Sequence, residues 1–344
     1  MNDKKILITG ATGAIGNELL TQLYAVHNPS AITIFVRPSR KSRKLEKTFK
    51  GIRVVNGGIN DPKALAEACK DQDYVFHLAA VIPPLADEKP EMTRAVNVEG
   101  TRNVVRAMEE NCPQAFLIYS SSVAIYGDRL QNPDIYTHDE LCPSVGDDYG
   151  ATKVEAEKII RSSNLNWSIY RLAAIMGIGN HKVSKLIFHM PLETVMEICT
   201  VRDTARAFVH SVGKDEQLNK ETFNLGGGES CRIVYYDFMT RAFDAYGMGK
   251  VNFPEYAFAK INFHCGNYAD GDKLEEILRF RRDTMDTFFD EFGNAVPGIQ
   301  RFFTKLVNRP VKAYLARLSE PLIAHKKKDQ AHIERFFGST YKVH

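Results

Sequence analysis

No apolar run in these 344 residues approaches the roughly 20 that a bilayer-spanning helix takes, so a transmembrane helix is excluded. The six cysteines, at 69, 112, 142, 199, 231 and 265, include no Cys-x-x-Cys pair. That excludes a zinc ribbon and a disulfide framework; no metal is expected, and buried free thiols in a reducing compartment are. An excess of one charge is also missing. The 45 Lys and Arg stand against 42 Asp and Glu, and the net +3 gives no ground for nucleic-acid binding. No internal repeat and no low-complexity linker divides the chain. Met1-Asn2-Asp3-Lys4-Lys5 leads straight into a strand-like run with no signal segment, so a cytoplasmic location is expected.

What the chain does have is a patterned opening. Ile6-Leu7-Ile8 reads as a buried parallel strand, and Asn17–Leu23 carries apolar residues at helical spacing. Between them lie Gly10, Gly13 and Gly16. Gly10 permits a sharp turn, Gly13 lets a pyrophosphate approach the main chain, and Gly16 lets helix and strand pack closely. The free N–H groups at the helix start then face an anion, which places Gly10, Thr12, Gly13, Ala14, Ile15 and Gly16 around it. The spacing is Gly-x-x-Gly-x-x-Gly, not the commoner Gly-x-Gly-x-x-Gly.

Further strands are predicted at 31–36, 52–55, 74–80, 116–121 and 167–172, with helices at 62–70, 91–110 and 149–162. This alternation makes an α/β chain with a doubly wound parallel sheet. Residues 1–172 form the nucleotide-binding domain. Residues 173–294 form a smaller substrate lobe interleaved with the last sheet elements, and 295–344 a basic helical extension. The second strand ends in Arg37-Pro38-Ser39-Arg40, where an acid would bind a free ribose 2′-hydroxyl. Arg37 and Arg40 suit a 2′-phosphate instead, so NADP(H) is favoured over NAD(H).

A tyrosine four residues before a lysine shares its helix face, and the ammonium can lower the phenol pKa for proton exchange with an alcohol or carbonyl. Three such pairs occur: Tyr149/Lys153, Tyr246/Lys250 and Tyr256/Lys260. The second encloses two glycines, and the third follows the whole nucleotide half. Only Tyr149/Lys153 opens an amphipathic helix just after a hydroxyl-rich strand end, Ser120-Ser121-Ser122.

At this point the chain resembles the extended short-chain dehydrogenase/reductases, the NAD-dependent epimerase/dehydratase group. The matching motifs run in order over about the first 230 residues: the glycine turn, His77–Ala80, Asn97–Thr101, Ser120–Gly127, Tyr149–Lys153, Arg171–Gly177, Val201–Asp203 and Phe223–Gly226. The resemblance implies Tyr149 as general acid/base, Ser122 on the reacting oxygen, and Lys153 holding the nicotinamide ribose. It implies Asn97 ordering the long helix, Leu78, Ala79 and Ala80 under the cofactor, and Ser120, Ala174 and Ile175 beside it. Val123 and Tyr126 are expected toward the substrate. Gly57-Gly58-Ile59 lacks the Asp that meets adenine in the family, leaving Ile59 to pack on the ring. Val123-Ala124 replaces the Asp-Glu of sugar 4,6-dehydratases, so water elimination is not expected.

The insert between Gly177 and Val201 is short and mostly apolar, with His181, Lys182, Val183, Lys185 and His189 in it, and nine aromatics follow between Tyr235 and Phe263. Together they favour a small apolar substrate over a sugar diphosphate. Two alternatives remain: an epimerase with retained NAD(P), and a redox sensor that binds NADP(H) without turnover. From Val296 on, ten Lys and Arg face three acids, so the tail is +7 and the rest −4. Ile299, Phe302, Phe303, Leu306 and Val307 form one helical apolar stripe, and Val311, Tyr314, Leu315 and Leu318 repeat it beyond Pro310. Packing on the chain's own lobe or in a homodimer is the plainer expectation, and peripheral contact with an anionic membrane the sharper one.

Overall fold

The computed structural model describes residues 3–179 and 185–341. His181, Lys182, Val183 and Lys342, noted above, lie outside the described residues. The strands in chain order are β1 (Ile6–Thr9), β2 (Ile32–Val36), β3 (Arg53–Asn56), β4 (Tyr74–His77), β5 (Phe116–Ser122), β6 (Asp134–Ile135) and β7 (Asn166–Leu172). Then come β8 (Ala174–Met176), β9 (Val195–Thr200), β10 (Glu221–Leu225), β11 (Arg232–Val234) and β12 (Asn267–Tyr268). Seven of them form one parallel sheet in the order β10-β7-β5-β4-β1-β2-β3. Helices cover both faces, which is why β1 and β2 are apolar except at Thr9 and Thr33 and buried at every position.

The chain runs outward through β2 and β3, then returns to lay β4 on the other side of β1. That reversal opens a crevice at the carboxyl ends of β1 and β4, the usual ligand position in such sheets. The seventh strand, β10, was not foreseen as a strand; it pairs with β7 from inside the Phe223–Gly226 motif. The chain beyond residue 172 therefore returns to the first sheet. A second sheet, β11-β9-β8, carries the smaller lobe.

The aromatics between Tyr235 and Phe263 make that lobe's core. Tyr235, Phe243 and Phe258 are buried there with Phe188 and Met239, and Phe253 and Phe263 pack against them. Their density is explained by packing, with Tyr236 the exposed exception at 46%. Five cysteines are buried and Cys142 is exposed, against the expectation of burial for all six.

Candidate active site

Thr9, His77 and Tyr119 lie side by side across β1, β4 and β5. β5 then runs three residues past the end of β4 and carries Ser120, Ser121 and Ser122 into the crevice. On the β1 side the glycine turn is tight. Gly10 has φ +79°, and a side chain there would meet the Ala79 amide nitrogen at 2.7 Å. A side chain on Gly16 would overlap the Gly10 carbonyl oxygen. The helix Ala14–Val26 starts at exposed Gly13 with no side-chain cap, so its first amides stay open for an anion. This bare turn fits a dinucleotide pyrophosphate.

A buried polar chain ties the crevice together. Thr101 Oγ1 donates to the Asn97 carbonyl at 2.6 Å, so it must accept from His77 Nε2 at 3.0 Å. His77 Nδ1 is then left to accept the Thr9 hydroxyl at 2.8 Å. Burial, helped by the Lys153 charge, pushes His77 down to about 3, so it is neutral. Asn97 sits in a π-turn, Ala95–Glu99, within the predicted long helix. Its side chain accepts from the Val81 amide (2.8 Å) and donates to the Val81 carbonyl (3.0 Å) and Thr152 Oγ1 (3.1 Å). Thr152 in turn donates to the Tyr149 carbonyl. The resemblance implied Asn97 as an ordering residue and as one of the residues lining the cofactor. It is buried with its amide used by the protein, and it orders the Leu78–Ala80 loop and the Tyr149 helix.

The helix Asp148–Arg161 places Tyr149 and Lys153 one turn apart beside Ser122. Burial pushes Tyr149 up to about 12, and a hydrogen bond with Ser122 partly offsets this. Lys153 is fully buried and donates to the Ser120 carbonyl at 2.7 Å. Burial pulls its pKa down to about 7, against the opposing pull of Glu157. Lys153 was expected to lower the phenol pKa. The structure shows the reverse balance, because desolvation of a phenolate outweighs an amine 5.8 Å from the ring and turned to a carbonyl.

The lysine carries a stability signature. Its pKa is depressed on folding, so between about 7 and its ordinary value near 10.5 the unfolded chain binds a proton that the folded chain does not. Stability from this group therefore rises with pH across that window. Chemical denaturation of Lys153→Met against wild type should show that rise removed, with the variant the more stable near pH 7. An unchanged pH slope would mean that Lys153 is solvated.

Of the other expected residues, Leu78, Ala79 and Ala80 are half-buried at the end of β4, and Ala174 and Ile175 line β8. Ile59 packs against Gly100, where a side chain on the glycine would collide with it. Arg37 and Arg40 are exposed at the start of the helix Arg40–Thr48, and among the described residues neither has a salt bridge. Val123 and Tyr126 are buried; Tyr126 was expected toward the substrate, but its hydroxyl donates to Asn224 and accepts from Arg171, both at 2.7 Å. The decoy pairs separate cleanly. Tyr246 ends a helix that Gly247 terminates, and Tyr256 lies outside any helix with φ +65°.

Sequence reasoning missed Glu157, although it falls one turn after Lys153 on the same face. It accepts from Arg171 Nε and Nη2 at 3.1 and 2.9 Å and from Ser121 Oγ at 2.6 Å. Burial opposes its charge, but these bonds outweigh that and hold its carboxyl below the usual range. The pair fixes the Ser121–Ser122 strand end against the Tyr149 helix. Two clefts flank the site. One of about 300 Å³ lies between Ala14 and Asn17 on one side and Met176, Gly177 and Arg202 on the other. The other, about 150 Å³, is lined by Pro83, Asp147, Leu186, Phe263, Arg335 and Phe336 among others. Its last two residues come from the C-terminal extension, which packs here on the chain's own lobe. Lys185 and His189, candidate cations for a diphosphate, both bind Glu320 of that extension, at 2.9 and 2.6 Å.

A family model described as NAD dependent epimerase/dehydratase matches residues 6–226, more than half of the chain. The chain belongs to that family. Similar curated members include the inverting UDP-N-acetylglucosamine 4,6-dehydratase of Campylobacter jejuni, 30% identical over 47% of this chain and 44% of the relative. The 3 beta-hydroxysteroid dehydrogenase/Delta 5→4-isomerase of Mycobacterium tuberculosis is 28% identical over 60% of this chain and 58% of the relative. In Escherichia coli O157:H7, N-acetyl-alpha-D-glucosaminyl-diphospho-ditrans,octacis-undecaprenol 4-epimerase is 35% identical over 47% and 44%. The aligned part thus spans about half the length of these relatives. Among solved structures, a UDP-N-acetylglucosamine 4-epimerase from Methanobrevibacter ruminantium M1 superposes with a TM-score of 0.67 at 20% identity, over 89% of this chain and all of that one. That likeness shows the extended short-chain dehydrogenase fold. The family is one of nicotinamide-dinucleotide enzymes, and its members span dehydratases, epimerases and dehydrogenases.

Proposed function

We propose that this chain transfers hydride between NADP(H) and an alcohol or carbonyl carbon of a small apolar substrate, with Tyr149 moving the proton. The observation that carries this is Tyr149 beside Ser122, with Lys153 one turn on and bonded to the Ser120 carbonyl, at the strand ends beside the bare glycine turn. The Gly10–Gly16 turn with Thr12 would hold the pyrophosphate, and Arg37 and Arg40 the 2′-phosphate. Ile59 would meet the adenine, and Leu78–Ala80, Ser120, Lys153, Ala174 and Ile175 the nicotinamide end. The dinucleotide supplies the hydride donor or acceptor. Ser122 fixes the substrate oxygen. Tyr149, protonated at neutral pH by its raised pKa, gives its proton on reduction and regains one on oxidation. Lys153 stabilises the phenolate in between.

An NADPH oxidation assay against a panel of ketones and aldehydes tests this reading. Turnover that consumes NADPH with substrate supports it; binding without turnover favours the redox sensor. The E. coli relative's name favours a second reading, an epimerase acting with a retained dinucleotide. That reading is distinguished by isomerisation of a nucleotide or polyprenyl sugar with no net NADPH consumption.

Cofactor choice gives a separate expectation. Arg37 and Arg40 stand where an acid would select NAD(H). A charge-assisted contact with the 2′-phosphate is worth roughly 1.5–3 kcal/mol, so NADPH should bind about tenfold or more tighter than NADH. Arg37→Ala should erase most of the difference in a fluorescence titration. Equal dissociation constants in the unmutated chain would contradict it.

A further inference from the structure

The helix Gly298–Arg317 behaves differently in its two halves. Past a kink at Val307 (φ −110°, ψ 17°), Leu315 is buried and Val311 and Leu318 pack on the second lobe. Before the kink, Ile299, Phe302, Phe303 and Leu306 are 70, 59, 57 and 67% exposed. The apolar stripe read from the sequence is therefore split, and its first half covers nothing in the chain. Single exposed apolar residues are ordinary; four of this size on one helix face mark an interaction surface.

We propose that this first half docks on an anionic lipid surface. The charge pattern selects that occupant. Before the kink the helix carries Arg301 and Lys305 and no acid, Arg309 follows just past it, and Lys312 is bonded to the Lys250 carbonyl and Asn252. A second copy packed by two-fold symmetry would set these cations against their own kind. Anionic headgroups complement them while the acyl boundary takes the phenylalanines, at a depth of about 5–10 Å. Arg301 and Lys305 pack against Gly247 on the side of the helix that faces the lobe, while the apolar stripe faces away from it. No helix among the described residues is long and apolar enough to cross a membrane, so the contact is a surface one. The inference goes beyond the proposed chemistry and holds whichever reaction the active site performs.

Co-sedimentation of the full chain with phosphatidylcholine vesicles, with and without phosphatidylglycerol, tests it. Binding is expected to the anionic vesicles only and to be reversed by salt. Phe302→Ser with Leu306→Ser should lower it at least tenfold. Lys305→Gln with Arg309→Gln should also lower it about tenfold or more, from the gain per cation near such a surface. Melting curves and sedimentation velocity on the same samples report folding and assembly. Absent or salt-insensitive binding by the wild type would overturn the proposal. So would full binding by the folded Phe302/Leu306 variant, or a dimer that this variant dissociates, which would give the face to a second copy.

Discussion

Tyr149→Phe is expected to lower carbonyl reduction by about 10²–10⁴-fold, the usual contribution of a positioned acid or base. NADPH affinity should change only severalfold, because the phenol acts chiefly in the transition state. The ring keeps its place on the helix Asp148–Arg161, and only the proton and the bond with Ser122 are lost. Steady-state rates with a titrated dissociation constant for each protein check this. Tyr256→Phe is the control. That side chain stacks on His325 at 4.0 Å in the C-terminal region and lies outside any helix. Near-normal turnover by Tyr149→Phe alongside a loss in Tyr256→Phe would reassign the proton to the other tyrosine.

Arg171→Met should cost about 3 kcal/mol of stability, because the buried Glu157 carboxylate loses the guanidinium that donates to both its oxygens and keeps only Arg161, at 3.2 Å, and Ser121. Both side chains are nearly inaccessible, at 3 and 1% exposed. Arg171 also holds the Tyr126 hydroxyl and the Thr137 carbonyl, at 2.7 and 2.8 Å. From Tyr126 the bonds continue to Asn224 and on to Asp270, so one charge anchors β5, β7 and β10 to the smaller lobe. Glu157→Gln added to Arg171→Met should restore part of the loss, since the uncompensated charge is then gone. Urea unfolding of the two variants against wild type measures it. A single variant within about 1 kcal/mol of wild type would mean that water reaches the carboxylate.

Much of the sheet and of the cofactor turn was legible because local sequence dictates them. Ile6–Ile8 is apolar on both faces, and Gly10 and Gly16 stand where any side chain would collide with backbone. The Tyr149/Lys153 pair was separable from Tyr246/Lys250 by its enclosed glycines and from Tyr256/Lys260 by position; in the structure Gly247 ends the helix after Tyr246, and Tyr256 is in no helix. What stayed hidden depends on distant contacts. Glu157 had no sequence signal, because its partner Arg171 reaches it from β7, 14 positions on. The Glu320 bonds to Lys185 and His189 span more than 130 residues, and with them Arg335 and Phe336 reach the cleft beside Asp147. No periodicity encodes such a meeting. The pKa expectation for Tyr149 failed for a related reason, since spacing gives the neighbour's charge but not the depth of burial that opposes it.

The most direct test of hydride transfer through Tyr149 is an isotope measurement. The chain is incubated with NADPH deuterated at the nicotinamide C4 and with the best carbonyl from the panel, and the alcohol is examined by mass spectrometry. One deuterium on the carbinol carbon is expected with wild type and with Tyr256→Phe, and at most a trace with Tyr149→Phe. Deuterium incorporation by Tyr149→Phe at the wild-type rate, or none from wild type with any carbonyl, would contradict it.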